Sequence, residues 1–198
     1  IDIQLGLMPE RDLGGVLSGR TSLAEALTGF VPGGFDILAG RSGSGAFCSL
    51  PPSRVEWLLA ELGKQDHDFV LLDLGAGLDA ATRRMAAWAD TLLVLATGEP
   101  TSLTDSYAVI KLHAADSPQS DARVVVNQAG SAAAGQRVHD TLARACDQFL
   151  GRQPKLAGII RRDEHVGDCI RRQMPLLTRH PGCPAAMDVR QIARDLLN

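Results

Sequence analysis

Short, nearly continuous apolar runs alternate along this chain with longer stretches in which apolar residues recur every three or four positions. The runs are Phe35–Ala39, Phe69–Asp73, Thr91–Ala96, Ala122–Asn127 and Leu156–Ile160. Each is too short for a helix and too uniformly apolar for a strand with one wet face. The pattern therefore predicts strands buried on both sides. Helical patterns fill the intervals. Ser22 and Glu25 make a capping box that opens a short helix. Pro52 or Ser53 starts another, with Val55, Leu58, Leu59 and Leu62 on one face. Asp79 is placed to cap a helix over Ala80–Ala89. Ser102 leads a further helix, with Leu103, Tyr107, Ile110 and Ala114 as its stripe and Asp105 as a weak capping partner. Ala132–Leu150 is the longest helical stretch, and Val189, Ile192, Ala193 and Leu196 form a narrow stripe near the end. Strand–helix alternation of this kind implies right-handed crossovers. The expected fold is α/β: one domain over residues 1–198, three layers deep, with a mostly parallel sheet between helices.

In such sheets ligands bind beyond the carboxyl ends of the strands. Four strand ends carry polar and glycine-rich residues: Asp73–Gly77, Thr97–Thr101, Asn127–Gly130 and Arg161–Asp163. Asp73 followed by Gly75 and Gly77 suits a carboxylate that organises magnesium beside a phosphate, because glycines let backbone N–H groups approach closely. It also suits a residue that merely turns the chain, and in isolation the turn is the simpler reading. Asn127 has an amide able to read a purine edge; it is equally suited to starting a turn.

Composition narrows the classes. Apolar residues make up 45% of the 198 and charged residues 22%, which is ordinary globular composition. Aromatics, at 4%, are too scarce for base-stacking platforms. No apolar run approaches the roughly 18 residues of a membrane span. Residues 1–150 carry net charge −7 and residues 151–198 net +4; a solvated face accounts for such a bias, and direct nucleic-acid binding is not expected. The four cysteines have no metal-site spacing and read as reduced, partly buried thiols. The five histidines are scattered in sequence, without a ligand pattern. A G-x-x-x-x-G-K-[ST] phosphate loop is absent from the 198 residues, and Gly40–Gly45, superficially similar, reads as a flexible loop.

Taken together, FVLLDLGAG (69–77), LVLATGEPTSLTDSYAVIKL (93–112), VVVNQAG (124–130) and AGIIRRDEHVGDCIRRQMPLL (157–177) resemble the MinD/ParA family of deviant-Walker ATPases in order and spacing. The likeness is strongest to the FlhG/FleN branch, the regulators of flagellar number and placement, and GEPTSLTDSYAVIK (98–111) is its most specific piece. The resemblance implies a P-loop NTPase fold using ATP, ADP and Mg2+. It implies that Asp73 is the Walker B acid on magnesium, that Gly75, Ala76 and Gly77 form the loop sensing the γ-phosphate, and that Asn127 contacts adenine. Arg161, Arg162 and Asp163 would lie beside the base. It further implies an ATP-dependent homodimer and a cytoplasmic protein with peripheral contact at the inner membrane. The implied partners are a flagellar GTPase of the signal-recognition type, switch-ring components or a transcription activator.

The sequence departs from the family pattern in three places. Leu74 stands where Thr or Ser is usual, and Arg161 where Pro is usual. The family's first strand and phosphate loop are not found, and with Ile1 as first residue they are expected upstream. Val189–Leu196 reads as a core-packing helix rather than a membrane-targeting one. Two alternatives stay open: a division, partition or pilus-assembly ATPase on the same engine, and a pseudo-ATPase that binds partners without chemistry. For the 198 residues alone, no hydrolysis is expected.

Overall fold

The structure, a computed structural model, describes residues 1–40, 50–119 and 121–197. The first part is mostly helical. A 3-10 turn, Ile3–Leu5, leads to α1 (Leu13–Leu17) and α2 (Leu23–Ala26). Ser22 caps α2 as the capping box predicts: its hydroxyl accepts from Glu25 N, and Glu25 Oε2 accepts from Ser22 N at 2.9 Å. Then β1 (Leu27–Phe30) and β2 (Phe35–Leu38) form an antiparallel hairpin. Phe35–Ala39 is thus a hairpin arm and not a strand of the parallel sheet. Its exposed Phe35 and Asp36 belong to a two-stranded ribbon wet on one side. The reading of Gly40–Gly45 falls, from residue 41 on, outside the described residues, as does Cys48.

Helices α3 (Pro52–Leu62) and α4 (Ala80–Trp88) follow. Val55, Leu58 and Leu59 of α3 pack with Ala81 and Met85 of α4 and with Leu13, Val16 and Leu23 into a first core. Asp79 caps α4, its Oδ1 accepting from Ala81 N and Thr82 N at 3.0 Å each.

Phe69–Asp73, expected as a buried parallel strand, forms no strand. Phe69 is 67% and Leu71 90% exposed, while Leu72 and Leu74 tuck against the first core. An apolar run becomes a buried strand only when a neighbour completes its hydrogen-bond ladder and layers cover both its faces. No described strand lies beside this run.

The second part is the expected sheet. Strands β3 (Thr91–Ala96), β4 (Asp121–Ala129) and β5 (Lys155–Arg161) are parallel, in the order β3-β4-β5. They are joined by α5 (Pro100–Asp116) and α6 (Ala132–Leu150), and the chain ends through α7 (Glu164–Arg171), α8 (Leu176–Arg179) and α9 (Pro184–Leu196). One face of the sheet packs Val94, Val124 and Val126 against Ile110 of α5 and against Leu142 and Cys146 of α6. On the other face Leu95, Val125 and Gly158 are in register, and Ile192 of α9 lies over Gly158. This makes the three layers. Leu95 on that second face is 61% exposed, and among the described residues no strand pairs with the outer edge of β3.

Two helical details differ from the sequence pattern. α5 begins at Pro100, and Ser102 does not cap it; Ser102 Oγ instead accepts from Thr97 N at 2.9 Å. Ala193, read as part of the α9 stripe, is exposed, whereas Ala185 and Ala186 are buried. Among the described residues no helix is long and apolar enough to cross a membrane. The described cysteines, Cys146, Cys169 and Cys183, are free and buried.

Candidate nucleotide-base edge

Three loops meet at the carboxyl edge of the parallel sheet. β3 ends at Ala96, and its loop turns through Thr97–Glu99 into Pro100, whose fixed φ suits the first turn of a helix. The bond from Thr97 N to Ser102 Oγ ties this loop to the first turn of α5. β4 runs on past Val126 into an irregularity. Gln128 has φ +55°, and Asn127 Oδ1 accepts from Gln128 N at 2.9 Å. The bulge realigns β4 so that Ala129 pairs with Arg161, and the carbonyl of Ala129 accepts from Arg162 N at 2.8 Å. Ser131 then caps α6 by accepting from Ala134 N.

These loops enclose a cavity of about 200 Å3 lined by Thr97, Gly98, Glu99, Gln128, Gly130 and Arg162, with Val138 of α6 as an apolar wall. It offers backbone donors and acceptors, one cation and an apolar side. That combination suits a flat, polar-edged ring better than a chain of phosphates. Its size lies below the roughly 300–1,000 Å3 of pockets that swallow a whole drug-sized ligand; it is large enough for one end of a nucleotide only.

The residues singled out by the motif are distributed differently from the motif's implication. Arg162 lines the cavity. Arg161 is turned away toward α9, where its guanidinium makes a two-pronged pair with Asp188 (Nε–Oδ2 2.8 Å, Nη2–Oδ1 2.7 Å), and Asp188 Oδ2 also accepts from the Arg161 backbone N. This pairing holds the Asp188 carboxyl below its usual range. Asp163 caps α7: its Oδ1 accepts from His165 N and its Oδ2 from Ala185 N, and only 4% of its side chain is exposed. Asn127, still within β4, does not line the cavity, and its side-chain oxygen accepts from Gln128 N. Asp73, Gly75, Ala76 and Gly77 lie in irregular, exposed chain next to the first core, outside the cavity.

The family motif gave no role to Thr97, Gly98, Glu99 and Gln128, which line the cavity. The signal for them was the strand-end rule rather than any motif. The positive φ at Gln128, which opens the loop, has no signature in a non-glycine residue.

Comparison with known proteins places these elements. The family profile described as cellulose biosynthesis protein BcsQ matches residues 50–197. The chain is 30% identical over 196 residues to the antiactivator FleN of Pseudomonas aeruginosa, spanning 98% of this chain and 70% of that protein. It is 27% identical over 121 residues to the flagellum site-determining protein YlxH of Helicobacter pylori, spanning 57% of this chain and 39% of the relative. In fold it is similar to the septum site-determining protein MinD of Pyrococcus horikoshii complexed with Mg-ADP. The TM-score is 0.77 at 20% identity, covering 98% of this chain and 77% of that one.

Proposed function

We propose, from the premise that this chain belongs to the BcsQ family of MinD/ParA-type ATPases, that it regulates flagellar number as FleN-like proteins do and that the cavity at the sheet's carboxyl edge receives the base of an adenine nucleotide. The observation that carries the reading is the likeness to FleN across 98% of the chain, all three cavity loops included.

The residues present divide over the nucleotide. The base end fits: Thr97–Glu99 and Gln128–Gly130 offer backbone polar groups to a ring edge, Val138 an apolar surface, and Arg162 a planar cation that stacks on or bonds to a purine. The phosphate end does not fit. Asp73 stands in exposed, irregular chain, and the 198 residues contain no Gly-Lys-Ser/Thr to cradle a β- or γ-phosphate. What the chain's own groups do is hold the base loop in shape. Asp188 anchors Arg161, the Ala129 carbonyl anchors Arg162, and Asp163 joins the start of α7 to the start of α9. Occupation of the cavity is thereby read out on α7 and α9, where partners would sense it. Those partners are of the classes the resemblance implies: a second copy, a flagellar GTPase, a switch-ring component or a transcription activator. Contact with the inner membrane is peripheral in this reading.

The match of residues 50–197 to the cellulose biosynthesis protein BcsQ family favours a second reading, service to cellulose synthesis. Deleting the gene and counting flagella by electron microscopy, with cellulose measured by dye binding in the same strains, separates the two. The flagellar reading expects altered flagellar number restored by the wild-type gene, with cellulose unchanged. Unchanged flagella with lost cellulose would replace it by the second reading.

A further inference from the structure

Outside the cavity lining, three side chains of different chemistry converge from two separate segments, one of them starting next to Arg162 in sequence. Asp163 is the residue preceding α7, His165 lies in the first turn of α7, and Cys183 is the residue preceding α9. One ligand-capable atom of each lies within 4.8 Å of those of the other two. His165 Nδ1 is 2.7 Å from Asp163 Oδ1, and the Cys183 thiol lies beside the same carboxylate. One carboxylate thus has beside it two groups that ligate metals once relieved of their protons.

The surroundings are those of a built site. Cys183 is buried with Ala185 and Ala186 against Ile160, Val166 and Leu176, an apolar shell. The Asp163 carboxylate is oriented by two backbone donors, His165 N and Ala185 N. The His165 ring packs on His180 with centroids 4.4 Å apart, and His180 is itself fixed by Asp168 at 3.2 Å. Orienting partners of this kind are what metal ligands need.

We propose that Asp163, His165 and Cys183 form a binding site for a divalent cation of the zinc class, which clamps the start of α7 to the start of α9. The donor set is one thiolate, one imidazole and one carboxylate. Thiolate and imidazole select a borderline-soft ion and disfavour magnesium. Thiolate and carboxylate together neutralise the two positive charges. Zinc bonds of about 2.3 Å to sulfur and about 2.0–2.1 Å to nitrogen and oxygen put tetrahedral ligand atoms roughly 3.3–3.6 Å apart. The three atoms therefore need adjustments on the order of 1 Å, within reach of side-chain rotation. On binding, the thiol gives up its proton to solvent and Nδ1 takes the metal, the ring's remaining proton residing on Nε2. A water completes the fourth position. None of its ligands lines the cavity, so cation binding is read separately from nucleotide binding.

The test is titration of the purified, chelator-treated protein with cobalt(II) as a coloured substitute for zinc. The expected result is saturation at one equivalent, with a thiolate charge-transfer band in the near ultraviolet and tetrahedral visible bands, both abolished by zinc and indifferent to excess magnesium. Cys183→Ser should remove the charge-transfer band. Serine is a preferred helix N-cap, so this variant keeps the start of α9. His165→Gln, at a partly exposed ring, should weaken cobalt binding by more than the roughly 10–100-fold typical of losing an outer partner. Cys48→Ser should leave the spectrum unchanged. Absence of a thiolate band in the wild-type protein, its survival in Cys183→Ser, undiminished cobalt binding in His165→Gln, or loss of the band in Cys48→Ser would each overturn the assignment.

Discussion

Gly158 is where β5 accepts a helix, and adding a methyl group there tests the packing of the whole second face. A Cβ at Gly158 would overlap Cγ1 of Ile192 and lie 2.9 Å from its Cδ1 and 3.7 Å from its Cβ. The worst overlap is with the stem of the side chain and not its tip. Ile192 cannot swing clear, because a β-branched residue in a helix has one strongly preferred χ1 rotamer. Either α9 lifts or the side chain leaves its rotamer. Overpacking of this kind costs roughly 1–3 kcal/mol, and replacing glycine inside a strand returns about 0.5–1 kcal/mol. The expected net loss for Gly158→Ala is about 1–2 kcal/mol. Urea unfolding followed by circular dichroism should show a lower midpoint with unchanged slope. The sharper form is a double-mutant cycle. Ile192→Ala alone should cost roughly 2–4 kcal/mol, as a buried large-to-small change does. In the double variant the methyl group added at Gly158 occupies space that Ile192 vacated, so the two losses should fall short of their sum by about 1 kcal/mol or more. A neutral Gly158→Ala, or losses that add to within about 0.5 kcal/mol, would refute the contact.

Two further outcomes follow from buried histidine and missing phosphate chemistry. His113, buried in α5, has its pKa lowered mainly by desolvation. The unfolded chain therefore binds a proton that the folded one resists: stability is full above the unfolded value near 6.5 and falls as pH drops below it. The urea midpoint should decline between about pH 7 and about pH 5, less so in His113→Met; equal declines would remove His113 as the cause. Phosphate release from Mg-ATP by the 198 residues should not exceed the no-protein background, and turnover abolished by Asp73→Ala would mean that phosphates are held after all.

The legible part of this molecule was the part governed by local rules. α6 starts and stops where Ser131 and the left-handed Gly151 dictate, and the capping box at Ser22 holds in detail. Three parallel strands followed from three apolar runs, because each found neighbours and helices to cover it. Phe69–Asp73 has the same composition and failed, since strand formation depends on a partner that composition does not encode. Phe35–Ala39 found its partner just upstream, across a tight turn, and became a hairpin. At the site, motif reasoning pointed to Asn127, Arg161, Arg162 and Asp163; of these only Arg162 reaches the cavity, and the other three are engaged elsewhere. The side chains of Asn127, Arg161 and Asp163 are engaged with Gln128, Asp188 and Ala185, and Arg162 faces the cavity. Nothing in the sequence distinguishes Arg161 from Arg162; the alternation of a strand end does, turning successive side chains to opposite faces. The gathering of Asp163, His165 and Cys183 was equally illegible, because the rest of α7 and all of α8 separate the last two.

The measurement that bears most directly on the nucleotide reading is a titration of the 15N-labelled protein with ADP, followed by backbone amide shifts, which register weak binding. The account predicts saturable shifts at Gly98, Gln128, Gly130 and Arg162, strongly reduced in Arg162→Ala and indifferent to magnesium. Shifts centred instead on Gly75 and Gly77, or no shifts at any concentration, would contradict it.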